Sequence, residues 1–207
     1  MGMRLIKYSF LVGGLLLIFG GNSASGQDGY QPGYVVLANG DTLSGLVMDR
    51  KETIIGTELL SKIRFKPTDR KRRKKYRPHQ LISYQVGNAT YASHPIRPKG
   101  ISLLDAYYEI DPAEGEWTFL RVVSRGNLTH YQMEWVDEDD SSVESADFFR
   151  KTNEQLLVRA TQGIFGLKRK NLIKYFQDCP SLQQKIKEKA FTYPSEVTDY
   201  YNQHCSE

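Results

Sequence analysis

The sequence holds only two cysteines, Cys179 and Cys205, which excludes a multiply cross-linked scaffold. Its four histidines, His79, His94, His130 and His204, stand singly, without the His-x-x-x-His pair or His/Cys/Asp cluster that a transition metal requires. No Gly-x-Ser-x-Gly is present, and Gly163-Ile164-Phe165-Gly166-Leu167-Lys168 lacks the spacing of a phosphate-binding loop. No cofactor or metal is therefore expected. After the first residues no apolar run approaches the roughly 20 residues of a membrane-spanning helix.

What is present begins with an export signal. Arg4 and Lys7 are the only charges before a largely apolar run from Tyr8 to Phe19, and the small residues Ser23, Ala24, Ser25 and Gly26 follow. This is the order of a basic region, an apolar core and a small-residue cleavage site. Residues 1–26 read as a signal peptide, with the mature chain starting near Gln27. Losing them leaves 26 Lys and Arg against 24 Asp and Glu, so the mature chain carries almost no net charge. General affinity for nucleic acid is not indicated. In an oxidising compartment Cys179 and Cys205 are expected to pair, a bridge worth roughly 3.5 kcal/mol in the chain-entropy picture.

Residues 27–160 read as antiparallel β-structure. From Gly33 to Met48, β-formers flank Asn39-Gly40, the strongest short-range hairpin signal, and a type I′ turn is expected there. A short strand is expected over Lys62 to Lys66. Leu81 to Val86 alternates, with Ile82, Tyr84 and Val86 on one face, and turns at Gly87-Asn88 into Ala89 to Ser93. Trp117 to Ser124 and Leu128 to Val136 form a third pair around Arg125-Gly126-Asn127, and Ala146 to Lys151 a further strand.

Residues 161–207 read as helical. Leu172, Ile173 and Phe176 suit one helix. Leu182, Ile186 and Ala190 recur every four residues after Cys179-Pro180-Ser181, and Val197, Tyr201 and Cys205 do so after Pro194. A short connection between the last two helices favours an antiparallel pair, which would set Cys179 beside Cys205.

The strings Gly33-Tyr34-Val35-Val36-Leu37, Gly40-Asp41-Thr42-Leu43-Ser44-Gly45 and Leu81-Ile82-Ser83-Tyr84, with Tyr175-Phe176-Gln177-Asp178-Cys179-Pro180 and Tyr201-Asn202-Gln203-His204-Cys205, resemble a group of secreted bacterial envelope proteins with no assigned function. The resemblance implies an envelope location and a β-then-α layout. It brings no catalytic residues.

Two charged segments are the candidate sites. Ten Lys or Arg fall between Lys62 and Arg77 against the single acid Asp69, and Arg70, Lys71, Arg72, Arg73, Lys74, Lys75 and Arg77 form the densest run. Like charges at this density read as a solvated loop. In an exported protein their partners would be an envelope protein or an anionic lipid or glycan surface, and not nucleic acid. The acidic segment from Glu134 to Asp147 holds seven carboxylates but neither the alternating ligands nor the glycine of a calcium loop.

The expected architecture is α+β: an antiparallel twisted sheet or partly open β-barrel of about six to eight strands with a C-terminal helical appendage. The expected function is that of an exported, non-enzymatic binding protein of the periplasm or cell envelope. An exported hydrolase, its residues drawn from separate strands, is the alternative.

Overall fold

The computed structural model describes residues 29–50, 62–69, 72–99, 107–136, 142–163 and 166–205; the expected signal peptide (residues 1–26), Arg70, Lys71 and Asp137 to Asp140 lie outside them. The first hairpin is present: β1 (Tyr30–Leu37) pairs with β2 (Thr42–Met48). Its turn is not type I′. Gly40 alone takes a positive φ, +91°, while the Leu37 carbonyl accepts from Gly40 N–H at 2.9 Å and Leu37 N–H donates to the Asp41 carbonyl at 2.8 Å. Asn39 avoids the left-handed region by using its side-chain oxygen to accept from Asp41 N–H at 3.1 Å.

Next come β3 (Ile63–Pro67) and β4 (Lys74–Tyr76), paired in sequence beside β2. The basic run is therefore not all loop. Tyr76 is the reason: it buries beside Phe65, ring centroids 6.2 Å apart, and draws the preceding lysines into a ladder that local charge alone would prevent. A short 3₁₀ turn (Pro78–Gln80) leads to β5 (Leu81–Val86) and β6 (Ala89–Lys99). Ile82 does not share the face of Tyr84. The β1–β5 register steps from Leu37 opposite Leu81 to Val36 opposite Ser83, which leaves Ile82 as the extra residue of a bulge, half exposed to solvent.

The remaining strands are β7 (Tyr107–Ile110), β8 (Glu116–Ser124), β9 (Leu128–Val136), β10 (Val143–Lys151) and β11 (Leu156–Arg159). The order is β4-β3-β2-β1-β5-β6-β7-β11-β10-β9-β8, and β8 pairs back onto β6 from Thr90 opposite Val122 to Ile96 opposite Glu116. Strands β6, β7, β11, β10, β9 and β8 thus close a six-stranded barrel, while β5, β1, β2, β3 and β4 extend from β6 as an arm. The expected α+β layout, an antiparallel sheet with a C-terminal helical appendage, is present; its barrel is fully closed, and the described residues hold eleven strands where six to eight were expected.

Alternation along the strands sorts the apolar residues into separate cores. Phe148 points into the barrel with Ile96, Ile110, Leu120, Tyr131 and Leu157. Its neighbour Phe149 points outward with Leu128 and Val158 against the helices. On the arm, Val35, Val47, Phe65 and Tyr84 cover the outside of the barrel at Tyr91 and Phe119; Tyr84 stacks on Tyr91 at 4.7 Å and meets Phe119 edge-on at 4.8 Å. Each such side chain contributes about 1.5–3 kcal/mol on burial.

The helical segment comprises α1 (Arg169–Tyr175), α2 (Pro180–Lys187) and α3 (Pro194–His204). Leu172, Phe176, Leu182, Ile186, Val197 and Tyr201 bury against the outer face of β9, β10 and β11. Helix α2 is shorter than its apolar spacing suggests, and Ala190 lies beyond it. Lys189 turns left-handed at φ +58°, and the Lys189 and Ala190 N–H groups donate back to the carbonyls of Ile186 and Lys185, closing the helix. Cys179 at the start of α2 is bonded to Cys205 at the end of α3, with Cα atoms 5.6 Å apart. No helix among the described residues is long and apolar enough to cross a membrane, and this, with the disulfide, is compatible with export.

Candidate functional site

Cross-strand partners share a face. Ile63, Phe65 and Pro67 are buried, so the residues between them, Arg64 and Lys66, point to the opposite, outer face of the arm. Lys75 stands directly opposite Arg64, and Lys74 opposite Phe65 at the sheet margin. Arg73 reaches back over the same outer face, its guanidinium 5.4 Å from the Tyr30 ring. Arg72, Arg73, Lys74, Lys75 and Arg77 are all exposed. The backbone N–H of Arg77 donates to the Gln80 side chain at 2.8 Å. Among the described residues no carboxylate forms an ion pair with Arg64, Lys66, Lys74 or Lys75.

Two like charges facing each other across a ladder oppose its formation. The Arg64–Lys75 pair therefore costs stability and receives no compensating acid from the described residues. Arg64 and Lys66 were not among the run picked out in the sequence. Their alternation with Ile63 and Phe65 is the signal that would have added them, but only the β3–β4 pairing sets them beside Lys75.

Two clefts and one buried row of side chains bear on the alternative. The larger cleft, about 710 Å³, lies between β7, β11 and α1, and its lining includes Tyr107, Lys151, Glu154, Tyr175 and Asp178 but no histidine. A second, about 570 Å³, lies beside the disulfide with Asp178, Tyr201 and His204. The two oxygens of Asp178 are occupied, one accepting from Lys151 at 2.8 Å and the other from the Tyr201 hydroxyl at 2.5 Å. Elsewhere Ser124, His130 and Asp147 follow one another across β8, β9 and β10: Ser124 stands opposite His130, and His130 Nε2 is 2.8 Å from Asp147 Oδ1. The remaining ring nitrogen of His130 and the Ser124 hydroxyl are both buried without a partner, so they are not bonded to each other. Burial works against the charge of Asp147, but hydrogen bonds from His130, Gln132 and Thr161 hold its carboxyl below the ordinary range.

No family model, curated protein or solved structure matches the chain.

One further charged cluster joins the arm to the barrel. The Arg50 side chain, 2% exposed, donates to Glu134 on β9 at 2.5 Å and to Asp49 at 3.1 Å, and its guanidinium lies 4.4 Å from the Tyr91 ring. The Tyr84 hydroxyl donates to the same Asp49 oxygen at 2.6 Å. Burial pulls the Arg50 pKa down, yet Tyr84, Asp49 and Glu134 together raise it, so the guanidinium keeps its charge. Burial and the Asp49 carboxylate push Tyr91 up to about 12. No sequence spacing announces this cluster, because Arg50 and Glu134 are separated by 84 positions. Every member is engaged, which makes it a strut between arm and barrel. No group of three metal-binding side chains occurs among the described residues.

Proposed function

We propose that this is an exported binding protein of the cell envelope whose basic arm contacts an anionic partner, with Arg64, Lys66 and Lys75 on its outer face and Arg72, Arg73, Lys74 and Arg77 at its margin supplying the charge. The observation that carries the reading is the Arg64–Lys75 pair, like charges held opposite each other with no acid among the described residues to offset them. A surface kept for solubility alone gains nothing from stacking its cations in register, whereas an anionic partner gains from their convergence. The test is binding to envelope fractions over a range of salt. The chain with Arg64, Lys66, Lys74 and Lys75 changed to glutamine should lose most of its low-salt binding, and wild-type binding should weaken as the Debye length falls toward about 8 Å at physiological ionic strength. Equal binding by both chains at low salt overturns the reading.

A second reading, an exported hydrolase, is favoured by the row Ser124, His130 and Asp147. The order is that of a nucleophile, base and orienting acid, with the base already held by the acid. Against it stands the burial of both unpartnered atoms. Labelling of Ser124 by a fluorophosphonate, lost in Ser124→Ala and in His130→Ala, is what this reading requires.

A further inference from the structure

Barrel closure has a topological result: because β8 pairs back onto β6, the sheet of the described residues has one free margin, the outer side of β4. Every other strand has a neighbour on each side. The three residues of β4, Lys74, Lys75 and Tyr76, bond to β3 on one side only. Their outward backbone groups meet no strand among the described residues, and an edge of this kind is a template for pairing with another chain.

Short edges bearing lysine also serve to prevent such pairing. The charge acts selectively. Lys74 and Lys75, with Arg72 and Arg73 before them and Arg64 behind, repel a basic strand and leave a neutral one nothing to offset their desolvation. An acidic strand is attracted by the same side chains. Main-chain hydrogen bonds then give affinity and the alternating side chains give selection.

We infer that the anionic partner is an extended acidic polypeptide segment of another protein, which adds to the sheet as a further antiparallel or parallel strand beside Lys74–Tyr76. This rests on the basic-face reading above and narrows it from charge in general to a strand. Lipid and glycan surfaces share the negative charge but lack the backbone donors and acceptors that the free edge of β4 can use.

The experiment uses the mature chain and a short peptide alternating glutamate with threonine. The control has the same sequence and charge, but every second backbone nitrogen is N-methylated on the side that would face β4. Binding is measured at low salt by calorimetry, and amide hydrogen exchange is followed at Lys74, Lys75 and Tyr76. The expected result is that methylation weakens binding by about tenfold or more, since several main-chain hydrogen bonds of order 1 kcal/mol are lost at unchanged charge. The unmethylated peptide should also slow exchange along β4.

Equal affinity for the two peptides, with no protection of β4, overturns the strand proposal and leaves the basic-face reading standing. So does binding to inorganic polyphosphate or anionic vesicles but to neither peptide. Failure to bind peptide, polyphosphate and vesicles alike removes both. Protection of β4 that appears without peptide and grows with protein concentration assigns the edge to a second copy of the chain, against the proposal. Peptide binding that appears only after Asp137, Glu138, Asp139 and Asp140 are changed to asparagine or glutamine assigns it to the chain's own acidic segment, also against the proposal.

Discussion

The Lys151 ammonium lies 2.8 Å from Asp178 and 4.4 Å from the centre of the Tyr175 ring, at the place where β10 meets the helical segment. It also donates to the Tyr175 carbonyl at 3.0 Å. One cation from a barrel strand therefore holds the end of α1 and the approach to α2 together. Burial opposes the charge on Asp178, but the hydrogen bonds from Lys151 and Tyr201 keep its pKa below the ordinary range. Replacing Lys151 with methionine keeps the aliphatic stem and removes the charge. The expected loss is about 1–3 kcal/mol in urea unfolding, because charge-assisted bonds in a half-buried setting are the stronger kind. The Asp178 pKa should rise in the variant.

Arg50 makes the same kind of connection at the other side of the barrel. Arg50→Met should leave Glu134 and Asp49 without their cation in a buried setting and cost about 3–5 kcal/mol. Adding Glu134→Gln to that variant should recover part of the loss. A double-mutant cycle measured by chemical denaturation reads the coupling directly. If the two changes are simply additive, the arm is not joined to the barrel by this pair.

His94 faces the barrel interior, its ring edge-on to Tyr131 at 5.5 Å. Burial, followed by the nearby charges of Arg150 and Arg125, lowers its pKa from 6.5 to about 4. The unfolded chain therefore binds a proton at higher pH than the folded one. Stability should be fully present above about pH 6.5 and should fall as the pH drops from there toward about 4, by up to about 3 kcal/mol. His94→Gln should flatten the pH dependence of the unfolding free energy across that window. An unchanged slope would exclude His94 as its source.

Reducing the Cys179–Cys205 bridge should cost roughly 3.5 kcal/mol on chain-entropy grounds. The loss should be local at first. Amides of α2 and α3 should exchange faster after reduction, while those of β9 and β10 keep their protection until the barrel itself opens. Hydrogen exchange with and without a reductant, or with Cys205→Ser, measures this. Loss of protection in the barrel at the same rate would show the two parts to be one cooperative unit.

The legible parts of the fold were those fixed by neighbours in sequence. Asn39-Gly40 marks a turn by its backbone preferences, and Val197, Tyr201 and Cys205 mark a helix by their period. The Cys179–Cys205 pairing followed from the pair of cysteines expected in an oxidising compartment, together with helix and connection length. What stayed hidden depends on distant segments meeting. The strand at Tyr107–Ile110 is too short to show a period, and it exists because β6 and β11 flank it. The bulge that turns Ile82 outward is a property of the β1–β5 register and not of the alternation in Leu81 to Val86. Closure through β6 and β8 has no local sign, and neither does the meeting of Arg50 with Glu134. The basic run was visible as charge, but its arrangement as a ladder with Arg64 needed the burial of Tyr76, which a count of cations overlooks.

Phe148 and Phe149, adjacent on β10, fill different interiors, one inside the barrel and one beneath the helices. The strand is a party wall. Deleting one residue ahead of them would send each ring into the other's chamber and reverse every side chain up to the next turn. Evolution can therefore lengthen or shorten the loops bounding this strand far more freely than the strand itself, and damage there would reach the barrel and its helical cover together.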